Sequence, residues 1–131
     1  MKDITYEMVR AYQIKELGYD FMGYYRQLGD RYTFHHTILP KRDGGLEQKE
    51  NGSILYTTPH VYIHTIEEYE EQAFAYITME IMQMNLKGYL DPVNLKRIHD
   101  TLEWFESRYG EEQLRGGKML IKDNFRNRVK F

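Results

Sequence analysis

Residues Tyr6, Val9, Arg10, Gln13, Ile14 and Leu17 recur at three- and four-residue intervals, which predicts a helix over about 5–17, opened by Asp3 or Thr5 and stopped by Gly18. Gly18, Gly23 and Gly29 then interrupt an aromatic-rich run (Tyr19, Phe21, Tyr24, Tyr25), the pattern of an irregular connector packed on the core. Arg31 to His36 (RYTFHH) has β propensity, and Pro40 with Asp43-Gly44-Gly45 demands a loop after it. A second short strand, Ser53 to Tyr56, lies between the turn signals Asn51-Gly52 and Thr57-Thr58-Pro59, so the two strands pair antiparallel. Helical periodicity returns over 60–86 (Ile63, Ile66, Ala73, Phe74, Ile77, Ile81, Met84) and ends at Gly88. Glu67, Glu68, Glu70 and Glu71 suit the positive end of a helix beginning near Thr65, which splits this segment into two helices with a bend. Asp91-Pro92 opens a last helix over about 92–108, ending at Gly110. The fold class is therefore α+β and mainly helical: an N-terminal helix, a short antiparallel hairpin, further helices and a tail.

Composition narrows the functional classes. With 131 residues, 41% of them hydrophobic, the chain suits one domain spanning 1–131 rather than two. No apolar run is long enough to span a membrane, and the opening residues lack the basic-then-apolar order of a secretory signal, so the expected location is cytoplasmic with no membrane partner. The absence of cysteine excludes disulfides, thiolate metal sites and cysteine nucleophiles. The formal charge of −2 is not that of a protein that coats nucleic acid. The tail, 113–131, departs from this balance, with Arg115, Lys118, Lys122, Arg126, Arg128 and Lys130 against Asp123 alone.

Four of the five histidines, His35, His36, His60 and His64, fall within 30 residues. Neutral imidazole is a common ligand of divalent transition metals, and His60 and His64, four apart, share one face of a helix. That pair alone is equally compatible with a solvated helix face. On a strand, adjacent His35 and His36 point to opposite faces, so one can bind a metal while the other faces a substrate. His99 stands alone and reads as structural or exposed.

Taken together, FHHTILPKRDGG, then Asn51, then His60 and His64 resemble the HNH nuclease motif, or ββα-metal fold, over about residues 32–70. In that family a His-His or Asp-His pair ends the first strand, a loop often containing Gly-Gly follows, an asparagine precedes the second strand, and a histidine opens the helix. All are present in order, with separations of 16, 9 and 4 from His35 through Asn51 and His60 to His64. The His-His pair and second helix histidine look most like the nuclease domains of bacterial colicins. The resemblance implies a ββα-metal core over about 31–86 and metal-dependent hydrolysis of phosphodiester bonds, with DNA the expected substrate. It further implies that His36 is the general base, that His35, His60 and His64 hold one divalent ion, and that Asn51 braces the loop and orients His36. An imidazole of ordinary pKa, about 6.5, accepts a proton at neutral pH, and a cation stabilises charge on phosphate. Three imidazoles favour Zn²⁺, Ni²⁺ or Mn²⁺, whereas Mg²⁺ prefers oxygen ligands, and the sequence does not choose among them. The chain departs from many HNH proteins in lacking the two Cys-x-x-Cys pairs of a structural zinc. Tyr56 and Pro59 occupy the helix-side places, which leaves packing to hold the hairpin.

Lys41 and Arg42 would meet a duplex backbone if the family geometry holds, and otherwise form a solvated turn. The basic tail either binds phosphate or folds back on acidic helix surface. Residues 79–84 (MEIMQM) read as core, with a partner surface as the minor reading, and 12 tyrosines accommodate a homodimer or protein partner. Short stand-alone HNH proteins resemble those of bacteriophages and other mobile elements. The rival expectation is a non-catalytic HNH-like binding protein of such an element, for example an inhibitor of a host defence (CRISPR-type) nuclease. It is suggested by the net charge, the acidic 67–71 segment and the lack of a DNA-reading module; a metal-dependent regulator without nuclease activity is a third.

Overall fold

The computed structural model describes residues 2–37, 51–113 and 127–131. Its elements in order are α1 (Lys2–Ala11), α2 (Ile14–Leu17), β1 (Tyr32–His36), β2 (Gly52–Tyr56), α3 (Thr57–Tyr69), α4 (Glu71–Lys87) and α5 (Pro92–Gln113). The architecture is α+β, one two-stranded antiparallel hairpin among helices. Among the described residues no helix is long and apolar enough to cross a membrane.

The single N-terminal helix expected over 5–17 is two. Gln13 adopts a left-handed conformation (φ 55°, ψ 39°), which breaks the helix after Ala11. On a continuous helix Tyr12 and Ile14 would point about 200° apart. The break lets both enter the core, at 2% and 0% exposure, while Tyr6 and Leu17 of the expected apolar face lie outside. Gly18 closes α2 as expected, at φ 84°.

The connector after Gly18 carries much of the core. Phe21, Met22 and Tyr24 are fully buried. Within it, the buried Asp20 carboxylate accepts the amide hydrogens of Met22 (2.9 Å) and Tyr24 (3.0 Å) through Oδ1, and that of Tyr56 (2.9 Å) through Oδ2. Burial pushes this carboxyl up to about 7 against the downward pull of the three donors.

In the hairpin, Tyr32 pairs with Tyr56 and His36 with Gly52, and Thr37 N–H to Asn51 C=O (2.8 Å) adds a rung beyond the strands. All of β2 is buried, and Phe21 N–H satisfies the Ile54 carbonyl from the connector (3.2 Å). Gly52 is required by contact: a Cβ there would fall 2.0 Å from Cζ of Phe34, whose ring lies over it. Tyrosine packing supports the hairpin where cysteines are absent, with the Tyr32 and Tyr56 rings 5.6 Å apart and Tyr6 edge-on to Tyr32.

β2 enters α3 directly. Tyr56 supplies no side-chain cap, and Asp30 instead accepts both the amide (3.2 Å) and hydroxyl (2.7 Å) hydrogens of Thr58. The expected bend lies at Glu70 rather than near Thr65, so Glu67 and Glu68 sit in the last turn of α3 and Glu71 opens α4. Glu70 is fixed from α5 by Arg108 Nε (2.9 Å) and the Tyr109 hydroxyl (2.6 Å), an interaction that helix-dipole reasoning does not contain. On α4, Ile81 and Met84 join the core as expected, whereas Met79 faces outward. Asp91 caps α5 through Val93 N–H (2.9 Å), and the helix continues past 108 to Gln113.

The last described residues pair with the connector, Tyr25 N–H to Asn127 C=O and Val129 N–H to Gly23 C=O (both 2.9 Å). Arg128 is buried and forms a two-pronged ion pair with Glu106 (2.7 and 3.0 Å) while donating to the Tyr24 hydroxyl (3.1 Å); Tyr62 donates to the same carboxylate (2.8 Å). Of the tail cations, Arg128 is therefore engaged with α5 and unavailable to phosphate. Arg115, Lys118, Lys122 and Arg126 lie outside the described residues, and Lys130 is exposed. Removing one partner of a buried pair leaves an uncompensated charge. Arg128→Met is expected to cost about 3–5 kcal/mol of unfolding free energy in urea denaturation, and a loss within experimental error would show that the pair contributes nothing.

A candidate metal centre at the hairpin–helix corner

Alternation along β1 places Thr33 and His35 on one face and Phe34 and His36 on the other, while His60 and His64 stand one turn apart on α3. Because α3 follows β2 without a linker, its first turns lie against the Thr33–His35 face. The result is a triad: one ring nitrogen from each of His35, His60 and His64 lies within 4.8 Å of the others. Ring centroids are 5.1 Å apart for His35 and His60, and 5.3 Å for each of the other two pairs. Phe74 of α4 presents an apolar wall to His35, its ring perpendicular at 6.5 Å.

The donor geometry and environment fit a cation. His35 Nδ1 and His60 Nε2 are 3.4 Å apart. That is long for a hydrogen bond between them. It matches the roughly 3.3–3.4 Å separating two nitrogens placed tetrahedrally at about 2.0–2.1 Å from one ion. His35 is 1% exposed, and its Nε2 is buried with no hydrogen-bond partner among the described residues. Ligation through Nδ1 would leave the ring proton on this Nε2. Burial, followed by the neighbouring rings of His60, His64 and His36, lowers the His35 imidazole to about 3. Burial, then His64 and His36, lowers that of His60 to about 4. Both are neutral at pH 7 and offer lone pairs. The three histidines can hold a metal ion, and their all-nitrogen donor set suits a transition ion better than Mg²⁺.

Two further residues bond the ligands from behind. Thr33 Oγ1 lies 2.6 Å from His60 Nδ1, and Glu67 Oε1 lies 3.0 Å from His64 Nδ1. Neither belongs to the motif, although each carries a positional signal: Thr33 precedes His35 by two on a strand, and Glu67 follows His64 by three on a helix.

The other expected site residues are placed as follows. His36, at the end of β1, packs edge-on to Phe34 at 4.9 Å, with Nε2 screened from solvent and without a partner among the described residues. Asn51 is buried and its main-chain carbonyl holds Thr37, immediately after His36. Lys41 and Arg42 lie outside the described residues. His99 belongs elsewhere: its Nε2 contacts the Met22 carbonyl oxygen at 2.7 Å, and it is structural as expected.

Comparison with protein families, curated proteins and solved structures gives no match.

A ligand that binds only the folded state stabilises it, by about 2.7 kcal/mol at a hundredfold excess over Kd. Zn²⁺ or Co²⁺ is expected to raise the thermal midpoint of wild type and of His99→Gln but not of His60→Ala. An equal rise in His60→Ala would place the binding site elsewhere.

Proposed function

We propose that the protein is a divalent-metal-dependent endonuclease of the HNH type that hydrolyses phosphodiester bonds in DNA. The observation that carries this reading is the convergence of His35, His60 and His64 at a strand–helix corner, in a chain whose next residue after the strand ligand is another histidine. The bound ion would supply charge neutralisation at the phosphate and leaving oxygen. His36 takes the proton of the attacking water, and the Asn51 carbonyl fixes the main chain at Thr37 beside it. For this step a ring nitrogen of His36 has to meet the attacking water, and Nε2 is screened from solvent beside Phe34.

That requirement favours a second reading. The screened Nε2 of His36 suits a non-catalytic HNH-like protein in which the metal serves the fold and the function is binding, including inhibition of a host defence nuclease by a phage or mobile-element protein. Cleavage of supercoiled and single-stranded DNA in Mg²⁺, Mn²⁺, Ni²⁺ and Zn²⁺, with a chelator control, separates the two. The nuclease reading expects metal-dependent cutting that falls by about 10²–10⁴-fold in His36→Ala while metal binding is retained. A folded, metal-loaded wild type that cuts nothing contradicts it and directs attention to a protein partner.

A further inference from the structure

We propose that Thr33 and Glu67 are positioning residues that hold His60 and His64 as Nδ1–H tautomers, leaving both Nε2 lone pairs free for a metal. The inference rests on the metal-centre reading and is independent of hydrolysis.

At Thr33 the number of available protons fixes the tautomer. Its Oγ1 lies 2.6 Å from the Leu55 carbonyl oxygen and 2.6 Å from His60 Nδ1. A hydroxyl has one hydrogen and a carbonyl has none, so the hydrogen belongs between Thr33 and Leu55. Toward His60 the hydroxyl can then only accept, and Nδ1 must carry the proton. A neutral imidazole has one N–H, so Nε2, the atom facing His35 Nδ1, is the lone-pair nitrogen. The hairpin carbonyl thus sets the ligand tautomer through one hydroxyl. At His64 a carboxylate oxygen does the same: Glu67 Oε1 accepts from Nδ1, and Nε2 is left for the ion.

The two devices differ in strength. Thr33 bridges a fully buried carbonyl and a partly buried ring, whereas the His64 and Glu67 side chains are 53% and 46% exposed and compete with water. Thr33 should therefore dominate. Valine has the shape of threonine and suits a strand but lacks the hydroxyl, whereas serine keeps the hydroxyl.

Long-range proton–nitrogen correlation NMR of the metal-free protein reads the tautomer directly, and titration with Co²⁺ reads affinity. His60 is expected as Nδ1–H in wild type and Thr33→Ser, with Nε2–H appearing in Thr33→Val. Thr33→Val should bind Co²⁺ about 10–100-fold more weakly, Thr33→Ser within about threefold of wild type, and Glu67→Gln less than about tenfold more weakly. Circular dichroism and thermal unfolding establish that each variant is folded at the temperature of titration. Nε2–H at His60 in wild type, or wild-type Co²⁺ affinity in Thr33→Val, would overturn the assignment. A wild type that binds no Co²⁺ would overturn the metal centre itself, a result distinct from unchanged binding in the variant.

Discussion

The direct passage of β2 into α3 is the constraint on which the site depends. Tyr56 is the last strand residue and Thr57 the first helical one, so the direction of the helix is set by how this corner is tied. Two carboxylates from the connector tie it. Asp20 takes the Tyr56 amide and Asp30 the Thr58 amide and hydroxyl, in place of the local cap that Tyr56 cannot provide. A helix leaving at another angle would carry His60 and His64 away from His35. The connector is thus more than a link between α2 and the hairpin, since it aims the ligand helix.

A second tie comes from behind the corner. Tyr62 lies on α3 between the two ligand histidines and donates to Glu106 of α5, the carboxylate that also holds Arg128. The face of α3 opposite the ligands is thereby fixed to α5 and to the final residues. The same two turns supply both functions: His60 and His64 project toward the hairpin while Tyr62, Ile63 and Ile66 enter the core. Neutral ligand rings follow from the same burial, which opposes protonation and leaves lone pairs where a cation can take them.

Much of this was legible in the sequence because it is periodic or local. The hairpin followed from two β-prone segments between turn signals, the start of α5 from Asp91-Pro92, and the gathering of His35, His60 and His64 from histidines at spacings that resemble a known motif. What escaped was long-range or geometric. Asp30 caps a helix 28 residues away, Glu70 is held by α5, and the break at Gln13 serves the burial of two residues on either side of it. The contacts of Thr33 are not legible in the sequence because they join groups from β1, β2 and α3 at once. Arg128, counted among the cations of a basic tail, has its meaning changed by the buried Glu106 and Tyr24 side chains it engages.

X-ray absorption spectroscopy of the Zn²⁺-loaded protein tests the central claim most directly, because it reads the ligands rather than an effect of binding. The account predicts a first shell containing about three imidazole nitrogens at about 2.0–2.1 Å, with the multiple-scattering signature of the rings. A shell of oxygen alone, without imidazole scattering, would contradict it.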